Sequence, residues 1–285
     1  MKLGNFELDV VSAGTMAMDG GLMFGVVPRV MWEKFKRPDE RNRVRLGLNV
    51  MLIRTPEASI LVDTGCGEAL PPKLSEIHSF RGRYQLREAL QELGIGFDDI
   101  DIVIPTHLHF DHAGGMTTEE NGRMAPSFPN ARYLVQKREY QEWKNTNERT
   151  RGGYRAVYTD VIEDAGLLDL LDGEHEVVSG VGCIPTPGHT EGHQSVLVDS
   201  GNDRRVIFLG DVAPTRHNIP LPWTTSNDVL PLIQLETKRS LWKKAVDNGW
   251  ELVFPHEISP RFFGSEVLGN AGSSGNKITL APPLF

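Results

Sequence analysis

The stretch THLHFDHAGG at residues 106–115 concentrates potential metal ligands. It holds three of the nine histidines and one aspartate within six positions, and a pair of glycines follows. His107 and His109 are two residues apart, so in an extended chain both side chains point to the same side. The glycines permit a turn, which would direct Asp111 and His112 to a second point nearby. The stretch predicts two incomplete sets of metal ligands; chance clustering on a polar loop is the alternative.

Candidates for the missing ligands follow other apolar runs or lie in loops. RVIFLGDV (205–212) contains Asp211, and ELVFPHE (251–257) contains His256. Short apolar runs bounded by polar residues, Gly or Pro are typical of strands that are buried on both faces. His189 lies in a loop that is rich in proline and glycine. Five histidines and two aspartates suit zinc or a neighbouring first-row ion, and paired ions of this kind serve hydrolysis.

Alternating strands and helices predict an α/β fold. SILVDTG (59–65) and DIVIPTHLH (101–109) indicate two more buried strands. Residues 84–94 and 235–249 place apolar side chains at helical spacing, and each segment ends at a glycine. Residues 133–171 are interpreted as mostly helical from their composition. Alternation of this kind is typical of a layered α/β domain.

Length and composition limit the number of domains that the chain can form. It has 285 residues, 39% hydrophobic, which is ordinary for a globular protein. Because no second core and no repeat is evident, we expect one domain over residues 1–285. The tail 265–285 follows a linker-like GNAGSSGN and is a candidate for an arm or an edge strand, the alternative being a frayed end. Cys66 and Cys183 match no zinc ribbon or redox pair and are expected in the core.

Charge and hydropathy exclude some partners. The net charge of −8 argues against a surface that binds nucleic acid phosphates. No apolar run approaches the ~20 residues of a membrane-spanning helix, and the N-terminus lacks the apolar segment of a signal peptide. We therefore expect a cytoplasmic protein that acts on a small molecule, with neither a nucleic acid nor a membrane as partner. A homodimer is compatible with these observations.

The order of the candidate ligands resembles the metallo-β-lactamase superfamily. HLHFDH matches every defined position of that family's H-x-H-x-D-H motif, and the resemblance extends from about Leu48 to His256. It implies a four-layer αββα sandwich with the metal site at one edge of the two sheets. It implies seven ligands, three on a first ion, three on a second ion and one that bridges them: His107, His109 and His189; Asp111, His112 and His256; and Asp211. Asp63 matches an aspartate that supports a ligand by hydrogen bonding.

Asp211 distinguishes branches of that family. The best-known β-lactamases have a cysteine at this position, so the aspartate favours hydrolysis of lactones, other esters or thioesters. HLHFDHAGG and TPGHTEGHQS are similar to the N-acyl-homoserine lactonase branch, whose relatives include an organophosphate-hydrolysing group. Those lactonases carry a substrate-binding tyrosine three residues after the bridging aspartate, where this chain has Pro214. His217 is the candidate for this catalytic role, and an exposed loop histidine is the alternative.

The resemblance implies a mechanism and its rivals. We expect a dinuclear hydrolase that cleaves a lactone or other carboxylic ester by attack of a metal-bridging hydroxide, with Asp111 carrying the proton to the leaving group. Zinc is the expected ion, and iron, manganese and cobalt are alternatives. The rival functions are phosphotriester or phosphodiester hydrolysis at the same site and an iron-dependent redox role.

An apolar lip for the substrate and one further histidine complete the sequence-based expectations. Met23, Phe24 and Trp32 are candidates for the lip, and each of them alone is more often a packing residue. Trp223 and either Trp143 or Tyr154 could extend it. His193 is expected at the surface or in packing.

Overall fold

Two β-sheets packed face to face form the centre of the molecule. The computed structural model describes residues 1–68, 70–80, 84–201, 204–259 and 261–263, so the expected arm or edge strand at 265–285 lies outside the described residues. The strands are β1 (Lys2–Leu3), β2 (Phe6–Asp19), β3 (Arg43–Arg54), β4 (Ser59–Val62), β5 (Ile102–Ile104), β6 (Thr117–Glu120), β7 (Arg123–Pro126), β8 (Arg132–Gln136), β9 (Leu168–Leu171), β10 (His175–Val178), β11 (Val181–Pro185), β12 (Gln194–Asp199), β13 (Arg205–Phe208) and β14 (Glu251–Val253).

Short helices surround the sheets. Among the described residues none of them is long and apolar enough to cross a bilayer. The helices are α1 (Gly20–Phe24), α2 (Arg29–Trp32), α3 (Pro72–Ile77), α4 (Leu86–Glu92), α5 (Phe110–Ala113), α6 (Lys137–Lys144), α7 (Ala156–Asp164) and α8 (Pro231–Asp247), with 3₁₀ turns at Phe97–Asp99, Gly114–Met116, Gly210–Val212 and Arg216–Asn218.

The sheets are mixed. The first has the strand order β1-β2-β3-β4-β5-β8-β9, the second has β10-β11-β12-β13-β14, and β6 and β7 form a separate hairpin. Four pairs of strands are parallel: β4 with β5, β5 with β8, β8 with β9, and β13 with β14. The other pairs are antiparallel.

Side chains that alternate along the central strands divide the interior into separate cores. Ile60 and Val62 of β4 lie in the core between the two sheets, whereas Leu61 packs toward α1, α2, α4 and α7. Phe208 of β13 also lies between the sheets, whereas Ile207 packs against α8. Because successive side chains of a strand point to opposite faces, both sheets are buried on both sides. The layers are helices, seven-stranded sheet, five-stranded sheet and α8, which is the expected four-layer αββα sandwich.

The expected strands are present, and one helical expectation is wrong. Residues 59–65, 101–109, 205–212 and 251–257 contain β4, β5, β13 and β14. Residues 133–171 are not mostly helical, because they begin with β8 and end with β9, and α6 and α7 lie between. Tyr133, Leu134 and Val135 are buried in alternation on the two faces of the first sheet, and composition alone does not separate such a short apolar run from a helix.

The potential ligands follow the carboxyl ends of parallel strands. His107 follows β5, Asp211 follows β13, His256 follows β14, and Asp63 directly follows β4. Neighbouring parallel strands end at the same edge of a sheet. The residues after β4 and β5 therefore lie at one edge of the first sheet, and those after β13 and β14 lie at one edge of the second.

Glycines allow the loop after β5 to pack closely. A Cβ on Gly115 would lie 2.1 Å from the Tyr84 hydroxyl and 2.3 Å from the Thr64 carbonyl oxygen. Gly67 has φ +70° and its Cβ would lie 2.3 Å from the carbonyl oxygen of Gly114. Asp111 and His112 lie on the short helix α5, which begins before the glycine pair, and the two glycines form the 3₁₀ turn that follows it.

Candidate metal centre

The seven residues expected as ligands converge at one place, and all of them are buried. They form three overlapping groups whose ligand atoms lie within 4.8 Å of one another: His107, His109 and His189; His107, His112 and Asp211; and Asp111, His112 and His256. Residues that are separated by up to about 150 positions in the chain therefore meet in one cluster.

Three imidazoles form the first set. His109 Nδ1 lies 3.0 Å from His107 Nε2 and 3.1 Å from His189 Nε2. In a tetrahedral zinc site with bond lengths of about 2.0–2.1 Å, neighbouring ligand atoms are roughly 3.4 Å apart. The spacing of the three nitrogens therefore fits a single ion of this class. Burial, together with the neighbouring imidazoles, holds the pKa of His107 and of His109 well below the ordinary value, which favours the neutral form that binds metals.

Two imidazoles and a carboxylate form the second set. His112 Nε2 and His256 Nε2 are 3.2 Å apart. Asp111 Oδ2 lies 3.6 Å from His256 Nε2 and 3.9 Å from His112 Nε2. The mixture of nitrogen and oxygen donors is one that zinc, iron, manganese and cobalt all accept.

Asp211 lies between the two sets. Its Oδ1 is 3.4 Å from both His112 Nε2 and His256 Nε2, and its Oδ2 is 3.3 Å from His189 Nε2. Oδ1 is buried and has no hydrogen-bond partner among the described residues. A bound metal ion would satisfy this oxygen. Burial alone would raise the pKa of Asp211, but the three imidazoles hold it well below its usual value. The carboxylate is therefore placed to bridge two cations.

In several of the clustered histidines, the ring nitrogen that points away from the cluster contacts another group of the protein. His112 Nδ1 lies 2.7 Å from Asp63 Oδ2, and Asp63 Oδ1 accepts a hydrogen bond from the Thr106 amide. His256 Nδ1 lies 2.8 Å from the Gly47 carbonyl oxygen. Contacts of this kind fix the ring orientation and the tautomer of a metal-binding histidine.

Asp228 supports His189 in the same way, which the sequence did not indicate. Its Oδ1 lies 2.9 Å from His189 Nδ1 and also accepts a hydrogen bond from the Thr225 hydroxyl. Asp228 is fully buried, and it belongs to a loop with no motif. Only the folded chain brings it to His189, so no local signal could have identified it.

Of the two expected positions for His193, at the surface or packed inside, the structure shows the second, because the residue is buried. Its Nε2 accepts a hydrogen bond from the backbone amide of Asp211 at 2.9 Å, and its Nδ1 lies 2.8 Å from the Thr186 hydroxyl. Burial and the nearby His189 lower its pKa to about 3, so the ring stays neutral and can accept this bond. His193 thus holds the backbone of the bridging carboxylate.

Glu139 of α6 joins the two loops that carry the first set. Its Oε1 accepts hydrogen bonds from the Leu108 amide (2.8 Å) and the Tyr154 hydroxyl (3.1 Å), and its Oε2 accepts one from the Thr190 hydroxyl (2.5 Å). Leu108 lies between two ligands in sequence, and Thr190 follows another. Burial, with the carboxylate of Glu142, raises the pKa of Glu139 to about 7. One side chain therefore fixes both loops at once.

Replacing Glu139 by Ala is expected to weaken zinc binding about 10–100-fold, the usual cost of losing a partner that orients ligands. Chelator competition on the purified protein measures this affinity. Glu163→Ala is the matched control, because Glu163 is a solvent-exposed carboxylate that contacts Tyr140 and Lys144. Unchanged zinc affinity in Glu139→Ala would show that the two loops hold their positions without it.

His217 lies apart from the seven ligands. Its ring stacks on Phe35 with centroids 5.3 Å apart, and its backbone amide donates to the Thr215 hydroxyl within the turn Arg216–Asn218. Burial lowers its pKa to about 4. Among the described residues, those lining the cavity at the metal centre do not include His217.

The cavity at the metal centre is small and largely apolar. Its volume is about 30 Å³, and its walls besides the ligands include Met18, Leu22, Met23, Phe110 and Asn227. Of the expected lip, Met23 lines this space.

The other aromatic residues expected at the lip pack around the site. Phe24 stacks on Trp32 at 5.2 Å, Trp223 packs edge-on against Phe24 at 5.9 Å, and Tyr154 packs against His109 at 4.8 Å. Trp143 is buried against Tyr140.

The chain is similar to several known proteins. An N-acyl homoserine lactonase from Bacillus sp. is 31% identical over 183 residues, which cover 59% of this chain and 64% of that protein, just under two thirds of its length. The solved structure of a probable metal-dependent hydrolase from Staphylococcus aureus is 28% identical with a TM-score of 0.87, covering 93% of this chain and 94% of that one. An N-acyl homoserine lactone hydrolase, solved with N-hexanoyl-L-homoserine bound at its catalytic metal center, is 26% identical with a TM-score of 0.66, covering 88% and 93%.

The family assignment rests on a match over most of the chain. The sequence profile of the Metallo-beta-lactamase superfamily matches residues 44–256, a range that contains all seven clustered residues. Because this match covers well over half of the chain, the chain belongs to the metallo-beta-lactamase superfamily.

Proposed function

We propose that the protein is a dinuclear, zinc-dependent hydrolase that opens lactones or cleaves other carboxylic esters. The single observation that carries the proposal is the position of Asp211, whose two carboxylate oxygens face two different sets of histidines. Such a bridging carboxylate serves a pair of ions rather than a single one. The structural relative from Staphylococcus aureus is a probable metal-dependent hydrolase, which supports the general reaction class.

The residues of the chain have separate tasks in the proposed reaction. Two bound divalent ions supply Lewis acidity for the scissile carbonyl and lower the pKa of water. The seven ligands hold this charge in a buried site, where electrostatic stabilisation is stronger than in water. Asp111 Oδ2 borders the second set, where it can accept a proton from the attacking water and pass it to the leaving oxygen. Met18, Leu22 and Met23 exclude bulk water.

The walls of the cavity favour an uncharged substrate. Besides the ligands, the described lining residues include Met18, Leu22, Met23 and Phe110, and none of the described lining residues is a lysine or an arginine. A phosphodiester or a free carboxylate would lack a counter-charge from these walls. The Bacillus sp. relative is an N-acyl homoserine lactonase, and an acylated lactone is a neutral molecule with an apolar portion.

Metal analysis with a substrate panel tests the proposal. Protein purified without added metal is expected to contain about two zinc ions per chain and to hydrolyse acylated homoserine lactones faster than paraoxon-type phosphotriesters or phosphodiesters. His256→Ala is expected to lose metal and turnover, whereas His175→Ala, at an exposed position of β10, is expected to keep both. One iron per chain with oxygen consumption and no ester turnover would refute the proposal.

Asn227 is expected to contact the substrate. It is an exposed residue that lines the metal-centre cavity, and its side chain makes no hydrogen bond to another described residue, whereas the neighbouring Thr225 hydroxyl is engaged by Asp228. Asn227→Ala is expected to raise the KM for an N-acylated lactone about 2–10-fold with little change in kcat, the cost of one neutral hydrogen bond. Unsubstituted γ-butyrolactone, which lacks the amide, is the control substrate. An equal KM change on both lactones would contradict a contact with the amide.

A further inference from the structure

One segment of this acidic chain, residues 29–45, carries a net positive charge. Residues 29–45 contain seven Lys or Arg and three Asp or Glu, a net charge of +4, whereas the whole chain carries −8. The segment runs from α2 into β3, away from the seven clustered residues in sequence. Segregated charge of this kind raises the local concentration of ions of the opposite sign.

A second cavity lies against this segment. Its volume is about 460 Å³, compared with about 30 Å³ at the metal centre. Its lining includes Arg37, Arg43 and Arg45, one carboxylate from Asp39, and the hydroxyl-bearing Thr15. The volume is within the range of about 300–1,000 Å³ that is typical of small-molecule sites.

Arg43 forms a fixed part of the cavity wall. Its Nε and Nη2 contact Asp39 Oδ2 at 2.9 and 2.8 Å, and its Nη1 donates to the carbonyl oxygens of Glu76 and Ile77. Only 15% of its side chain is exposed. Asp39 is thereby committed to Arg43, whose backbone and side-chain hydrogen bonds lower the pKa of this carboxyl.

Arg37 and Arg45 have no anionic partner among the residues that the structure describes. No carboxylate of the described chain forms an ion pair with either of them, and the one hydrogen bond of the Arg45 side chain to another described residue is a long contact of 3.4 Å with the Thr15 hydroxyl. With Asp39 neutralised by Arg43, the cavity keeps two positive charges on planar guanidinium groups. Such groups match carboxylate and phosphate oxygens with paired hydrogen bonds.

We propose that this cavity binds a small anionic molecule through a phosphate or carboxylate group, with Arg37 and Arg45 as its ion-pairing residues. The two cavities are neighbours with no described lining residue in common: on β2, Met16 lines the arginine cavity and Met18 lines the metal-centre cavity. Binding here depends on neither the metal ions nor the proposed hydrolysis.

Isothermal titration of the metal-loaded protein with inorganic phosphate, and separately with succinate, tests the proposal. We expect saturable binding of at least one probe, weakened at least about tenfold in the double variant Arg37→Gln/Arg45→Gln, because two charge-assisted contacts are lost. The matched control is Arg239→Gln/Lys243→Gln, which removes the same charge from exposed positions on α8. Both arginines of the cavity are exposed, so the double variant is expected to fold.

Each result of this titration decides a point. Binding of phosphate alone assigns a phosphate ligand, and binding of succinate alone assigns a carboxylate ligand. Equal weakening in both double variants would mean attraction by net charge only, which is screened by salt, and would overturn the proposal. Phosphate binding that survives in Arg37→Gln/Arg45→Gln would belong to the metal centre and would also overturn it, as would the absence of saturable binding of either probe.

Discussion

Replacing Asp211 by Ala is expected to reduce bound zinc from about two ions per chain to one or fewer, and to lower lactone turnover by about 10³-fold. The reason is the position of the carboxylate, which faces His189 with one oxygen and the pair His112 and His256 with the other. Its loss removes one ligand from each set and leaves the two cations to repel each other. Lewis-acid stabilisation is worth several kcal/mol, and about 4 kcal/mol corresponds to 10³-fold in rate.

The stoichiometry of this variant is measured by elemental analysis after dialysis against metal-free buffer. Asp160→Ala is the matched control, because Asp160 is an exposed carboxylate on α7 that forms an ion pair with Lys144. Asp211→Asn, which keeps one carbonyl oxygen, is expected to retain about one ion. Two ions held at wild-type affinity in Asp211→Ala would show that the carboxylate is not the bridge.

Four of the seven clustered residues could be predicted from local rules, because they follow buried strands. His107 and His109 follow β5, Asp211 follows β13, and His256 follows β14. Strands that are buried on both faces give continuous apolar runs, and parallel neighbours end at one edge. Strand ends therefore indicated these four residues, and the resemblance to the family supplied the remaining three, Asp111, His112 and His189.

Three residues that support the ligands, unlike Asp63, could not be predicted in this way. Glu139, Asp228 and His193 act through hydrogen bonds to ligands or ligand loops 18 to 51 residues away in the chain. Such contacts depend on how α6 and the loop after β13 pack, which no periodicity encodes. A buried carboxylate on a short helix looks in sequence like any surface carboxylate, because burial is decided by the tertiary fold.

The position of His217 shows another limit of prediction from the sequence. Proximity to Asp211 in sequence suggested a place at the metal centre, but the direction of a side chain depends on the local turn. Thr215 caps the turn Arg216–Asn218, and the His217 ring packs on Phe35, 182 residues earlier in the chain. A partner so distant in sequence cannot be read from the loop that carries the histidine.

Asp111→Asn is expected to lower kcat for an acylated lactone about 10²–10⁴-fold while much of the metal is retained. The asparagine has nearly the same shape and keeps one oxygen that can bind a metal ion beside His112 and His256. In the wild type, the Nε2 atoms of these histidines lie 3.9 and 3.6 Å from Asp111 Oδ2. It cannot accept a proton, however, so the step that should suffer is protonation of the leaving oxygen. Metal content and kcat are measured on the same preparation, with Asp160→Asn as the control.

A comparison of two substrates separates proton transfer from ligand loss in this variant. A lactone releases an alkoxide, which needs a proton as it leaves, whereas a 4-nitrophenyl ester releases a stable phenolate, which does not. If Asp111 carries the proton, the variant should lose much more activity on the lactone than on the 4-nitrophenyl ester. If Asp111 acts only as a ligand, both activities should fall by the same factor and in proportion to the metal lost, because weaker binding of the ions affects both reactions equally.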